Sequence, residues 1–134
     1  MDSKLRIASI ILLLVIGFAA IYGGWMLIVD PSGQKLQIPL NLLDKTPFNN
    51  YTIPGIVLFV VIGIFSLLTV VLTIIKIKYY TWLIILQGCF LIGWLTLELL
   101  FNKDFFSPVL HYPLYAIGIL LLIIGYTERK YKAE

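Results

Sequence analysis

Four long apolar runs, at 7–29, 54–75, 79–101 and 108–126, occupy most of this 134-residue chain and leave it few ways to fold. A helix of about 23 residues at ~1.5 Å per residue spans a hydrocarbon core of ~30 Å, and each run comes close to that length. Inside hydrocarbon a backbone N–H or C=O must find its partner within the protein, so the runs are predicted to be helices. Hydrophobic residues make up 60% of the chain, against roughly 45–50% in a soluble domain. Water is not the solvent for such a sequence.

The punctuation between the runs sets their limits. Lys4 and Arg6 precede the first run, which is too long and too continuous for a cleaved leader and reads as an anchor. Asp30-Pro31-Ser32-Gly33 is a turn signal, because Asp bonds its own backbone, Pro fixes φ and Gly admits positive φ. In the stretch 34–53, Leu36, Ile38, Leu40, Leu42, Leu43 and Phe48 are mixed with polar residues. It reads as an outer cap on the membrane surface, with a helical turn at 40–43. Pro54 suits a first helical turn, and Ser107-Pro108 reads as an N-cap followed by Pro at the first helical position. Helices are therefore predicted at about 5–29, 54–75, 79–101 and 108–126, with a short tail after them, in a single domain over 1–134. The short links at 76–78 and 102–107 make an all-α, up-down-up-down four-helix transmembrane bundle the expected fold.

Basic residues orient the bundle. Lys4, Arg6, Lys76, Lys78, Arg129, Lys130 and Lys132 fall on one side, against Lys35, Lys45 and Lys103 on the other. The positive-inside rule then puts both termini in the cytoplasm and accounts for the net charge of +3 without a nucleic-acid partner. Gly17, Ala20 and Gly24 form one small-residue stripe, Gly63, Ser66 and Thr73 a second, and Gly118 and Gly125 share a face, all suited to close helix packing. Cys89 stands alone, so there is no internal disulfide, CxxC pair or cysteine zinc cluster, and a single histidine excludes a multi-histidine metal or haem site within one protomer. No cofactor is implied.

The third run carries the chemistry worth following. Gln87, Leu91, Trp94 and Glu98 are spaced by 4, 3 and 4, so they stay within about 40° of one another on a helix. A carboxylate in a membrane segment costs on the order of 3 kcal/mol at the bilayer centre, less near an interface, so this stripe is predicted to face protein. The run ends just beyond Glu98, and the next begins with His111 and Tyr112, which puts the acid and the imidazole at one depth. Trp25 and Asp30 close the first run at that same level. Trp25, Asp30, Trp94, Glu98, His111, Tyr112 and Tyr115 thus outline an outward-facing ligand pocket. A carboxylate that simply reaches toward the headgroups is the plainer alternative. No P-loop or dinucleotide fingerprint occurs, and Ser66, Thr69 and Thr73 lie too far from His111 for a Ser–His nucleophile.

The pattern Asp30-Pro31-Ser32-Gly33, Thr46-Pro47-Phe48, Tyr51 and Ile53-Pro54-Gly55, with Gly93-Trp94, Glu98, His111 and Tyr115, resembles a group of small bacterial four-span proteins described as hypothetical membrane proteins. The resemblance covers nearly the whole chain and implies a bacterial inner membrane, with an acid or Gln at the position of Glu98. It implies no activity. The leading expectation is a non-enzymatic membrane protein, an accessory subunit or a binder of a lipid or other amphiphile. A membrane enzyme or proton-coupled carrier using Glu98 and His111 is the alternative, and a purely structural helix-packing partner is the third. Expected partners are membrane lipids, with a larger membrane protein or a second copy of the chain also open.

Overall fold

A computed structural model describes residues 2–36, 40–44, 46–103 and 107–133. Ile38 and Lys45 lie outside the described residues. The described residues are mostly helical, with no strand among them: α1 (Asp2–Val29), α2 (Thr52–Ile74), α3 (Tyr80–Phe101) and α4 (Pro108–Ala133), plus short 3₁₀ turns at Gln34–Leu36 and Leu40–Leu43. All four helices are long and apolar enough to cross a membrane, so the chain is a multi-pass membrane protein.

Their surfaces bear this out. On α1, Ile7, Ile11, Val15, Phe18, Tyr22, Trp25 and Val29 are all exposed and recur every three or four residues, while Leu13, Ile16, Ala20 and Leu27 are buried. A helix apolar all round has one face on its neighbours and the other in lipid.

Glycine lets the helices pack in two close pairs. In α1 and α2, a Cβ on Gly24 would lie 2.7 Å from Phe59 N and 2.8 Å from Gly55 O, and one on Gly63 would lie 2.7 Å from Ile21 Cγ1. In α3 and α4, a Cβ on Gly88 would lie 2.9 Å from Gly118 O, and one on Gly125 would lie 2.6 Å from Ile85 Cγ1. Without side chains at these points the backbones meet, and dispersion replaces the hydrophobic drive that lipid cannot supply. Within each pair the contacts run in opposite senses, from Gly24–Gly55 to Gly17–Leu67 and from Gly88–Gly118 to Gly125–Thr81. Leu13, Ile16, Ile62, Val70, Ile84, Leu91 and Leu121 fill the core between the pairs.

Three features depart from a plain reading of the sequence. The fourth helix does not stop near residue 126 but continues to Ala133. Nothing in 127–133 breaks a helix, and its cations favour a helix C-terminus. The second helix contains a π segment, Leu58–Ile64, between α-helical Thr52–Val57 and Phe65–Ile74. The second helix also ends with Lys76 at φ 57°, where Ile77 N–H bonds Leu72 O at 3.1 Å and Lys76 N–H bonds Thr73 O at 3.2 Å. This is a Schellman closure with lysine at the position glycine usually holds.

The connection from 30 to 51 folds back on the bundle. Asp30 accepts from the Ser32 hydroxyl (2.6 Å) and from the Ser32 and Lys35 amides (3.3 and 3.2 Å). Tyr51 N–H then bonds Pro31 O at 2.9 Å, closing the excursion at its base. Leu43 and Tyr51 are buried with Leu27, and Phe48 and Leu58 pack around them. Asn102 donates to Leu42 O at 3.2 Å, and the rings of Phe48 and Phe101 meet edge-on at 5.9 Å. The connection therefore lies against the end of α3 that carries Glu98.

Candidate functional site

Glu98 and His111 come together at this end: His111 Nε2 lies 3.6 Å from Glu98 Oε2. The imidazole is 4% exposed and the carboxyl 27%, so the pair is closed on the histidine side and open on the other. His111 sits in the first turn of α4 because Ser107-Pro108 starts the helix there. Leu110 and His111 N–H groups bond Ser107 O at 3.0 and 2.7 Å, and Ser107 N–H in turn donates to His111 Nδ1 at 3.1 Å. Nδ1 also lies 3.3 Å from Ser107 O, so it faces both a backbone donor and a backbone acceptor, with the donor the nearer. With Nδ1 accepting from the Ser107 amide, the neutral ring carries its proton on Nε2, the nitrogen that faces Glu98.

The surroundings of the pair come from both chain directions. Trp94, one turn before Glu98, supplies its indole N–H to the carboxylate. The Tyr115 ring lies 6.3 Å from that of His111, and its hydroxyl pairs with Thr96 Oγ1 at 2.9 Å. Tyr51, 3% exposed, has its hydroxyl ionisation pushed up to about 12 by burial first and by the Glu98 charge second. Tyr51 is thus a neutral wall of the site, a residue that the expected pocket did not include. Its position just before α2 offered no periodic signal.

The other residues of the expected pocket are not gathered here. Trp25 is 53% exposed on α1 with its ring 6.3 Å from Phe59, and Tyr112 is 66% exposed. Asp30 is engaged in its own turn, where the Ser32 hydroxyl, helped by the Ser32 and Lys35 amides and the Lys35 charge, holds its carboxyl below the usual 3.8 against some opposing burial. The group the structure assembles is Trp94, Glu98, His111 and Tyr115, with Tyr51 against it. A separate shallow hollow of about 370 Å³ lies over Pro47, Phe48, Asn49, Asn50, Thr52 and Ile53.

Two further polar places lie deeper. Gln87, fully buried, donates through Nε2 to Ser66 Oγ at 2.6 Å and reaches Ile62 O at 3.2 Å and Val61 O at 3.3 Å. These carbonyls belong to the π segment. Phe65 N–H bonds Val60 O, so Val61 O loses the donor an α-helix would give it, and Gln87 supplies a replacement across the bundle. At the far end Glu128 is 2% exposed, and Ser9, Thr73 and Thr81 are also fully buried. Glu128 was hidden from sequence reasoning by the expectation of a tail after residue 126. Its spacing of 4 and 3 along Leu121, Gly125 and Glu128 was the available sign. Leu91 and Leu95, 2% and 3% exposed, fill the α3 stripe between Gln87 and Glu98 and separate the deeper polar groups from the pair. Among the described residues no cluster of three or more His, Cys, Asp or Glu could hold a metal ion.

Comparison with protein-family models, curated proteins and solved structures finds no match for this chain. Function must therefore be argued from the geometry.

Proposed function

We propose that this protein is a non-enzymatic binder of a lipid or other amphiphile, acting alone or as an accessory subunit in a bacterial inner membrane. In this reading the helices run up-down-up-down, both termini are cytoplasmic, and the 30–51 connection caps the outer end. The observation that carries it is the Glu98–His111 contact at 3.6 Å, with a carboxyl open on one side at the edge of a membrane span. A carboxylate held in that position accepts hydrogen bonds, so the head group that fits it carries O–H or N–H donors, and its acyl chains extend along the exposed apolar helix faces. Trp94, Tyr51 and Tyr115 give the site apolar walls with polar tips, the composition expected where one end of a ligand is wet and the other is not.

Glu98→Gln and His111→Ala test the proposal through the lipids and amphiphiles that remain bound after purification in mild detergent. Loss of one class of neutral or zwitterionic amphiphile in both variants is expected. An unchanged profile in both would sink the binder reading. The same carboxylate–imidazole contact also suits proton exchange with a substrate, which is the second reading. It predicts proton release on substrate addition in liposomes that disappears in Glu98→Gln, whereas a binder gives none.

A further inference from the structure

At the opposite end of the bundle, where α3 begins and α4 ends, a second surface has a definite chemistry. Trp82 and Arg129 stack with the guanidinium carbon 4.2 Å from the indole centroid, and Lys78 Nζ lies 5.4 Å from the Tyr79 ring centroid. Tyr79, Trp82 and Tyr126 are 56%, 47% and 67% exposed, and Tyr126 lies one turn before Arg129 on the same helix. Trp82 is near the start of one membrane span and Arg129 near the end of another, so the stack sits at one membrane boundary.

Stacking uses the face of the guanidinium and leaves its N–H edge available. Among the described residues Arg129 has no carboxylate partner, and the nearby acid, Glu128, is turned inward and 2% exposed. Among the side chains described, the surface charge at this end is thus carried by Lys4, Arg6, Lys76, Lys78, Arg129 and Lys130. A cation fixed on an aromatic face, with its donor edge open at headgroup depth, matches a phosphate oxygen pair, and the exposed rings match the glycerol and upper acyl chain.

We infer that Trp82 and Arg129, flanked by Lys78, Tyr79 and Tyr126, form a site for the phosphate of an anionic phospholipid, distinct from the Glu98–His111 site and independent of its reading. General attraction of a basic membrane face would depend on charge alone. A site built on a stacked fork depends on which cation is present and what it stacks on.

Native mass spectrometry of the full chain, titrated with phosphatidylglycerol and with phosphatidylcholine of the same acyl chains, separates the two. Preference for phosphatidylglycerol by roughly fivefold or more is expected from one well-placed cation. Arg129→Gln, Arg129→Lys and Trp82→Leu should each abolish most of that preference, and Lys4→Gln should preserve it. Helix content by circular dichroism keeps misfolding apart from lost binding. An Arg129→Lys protein that binds like the parent, a Lys4→Gln protein that loses as much as Arg129→Gln, or displacement of the lipid by an equal concentration of inorganic phosphate would each overturn the site.

Discussion

His111 and Asp30 show how far single side chains can be read. Their residue types and positions predicted a polar site near one membrane boundary, and His111 does meet Glu98 there. What spacing left unstated was which ring nitrogen faces the acid. Nε2 faces it, with Nδ1 turned to the Ser107 amide at 3.1 Å and the Ser107 carbonyl at 3.3 Å. The shorter contact favours the Nε2–H tautomer of the neutral ring, which ¹⁵N chemical shifts of the labelled imidazole will report; a predominant Nδ1–H form would make the Ser107 carbonyl the partner instead. Asp30 was expected in the pocket, but its short side chain is taken up by the turn it initiates. Because its carboxyl is held below the usual 3.8, the stabilisation it gives the turn is present above that pH and is lost as pH falls through the lowered value. Protection of the Ser32 and Lys35 amides, measured against their intrinsic exchange rates, should fall on acidification in that window and lose that pH dependence in Asp30→Ala.

Helix existence was legible because apolar length is a strong signal, and the small-residue stripes of α1 and α4 do mark close approaches. The π segment was not legible, since nothing in Leu58–Ile64 differs in composition from an ordinary apolar helix. It becomes intelligible only with α3 in place, because Gln87 provides the donor that Val61 O has lost. Gln87→Leu should then cost about 1–2 kcal/mol in reversible unfolding from detergent, at the upper end for an interhelical polar contact. No change in stability would mean that the amide contributes nothing to the register. Glycine gives a sharper contrast. Gly24→Val places side-chain atoms against the backbone of Gly55 and Phe59 and should destabilise on the order of 3 kcal/mol, while Gly93→Ala, with no atom within 4 Å of its Cβ, should be neutral or stabilise by up to about 1 kcal/mol.

In the whole molecule, two glycine-packed pairs meet along a seam crossed by the Gln87–Ser66 bond, and the polar groups fall at three depths. Gln87 with Ser66 lies mid-way, Glu98 with His111 at one end, and Ser9, Thr73, Thr81 and Glu128 at the other. Pairs packed so closely are expected to move as units if the protein moves at all, with the seam as the place where contacts exchange. A disulfide-free crosslink test is available through cysteines placed across the seam and across a pair. Crosslinks within a pair should form uniformly, and those across the seam should respond to amphiphile added at the Glu98 end. The proposed orientation is checked separately by reporters on either terminus, and a periplasmic signal would reverse it.

The π segment also changes what the chain tolerates in its length. Wide turns hold a residue more than an α-helix of the same rise, so removing one lipid-facing residue, Val60 or Ile64, lets the segment tighten while the helix on each side keeps its phase. A one-residue deletion between Phe65 and Ile74, in contrast, rotates everything beyond it by about 100° and carries Thr73 out of the core. Deletion at 60 or 64 should therefore yield a folded, purifiable protein in which the carbonyl now at Val61 regains an intrahelical donor and Gln87 keeps Ser66 Oγ, and deletion in the later stretch should not. A membrane span that carries its own spare residue can absorb a frame-preserving codon loss that would disable its neighbours.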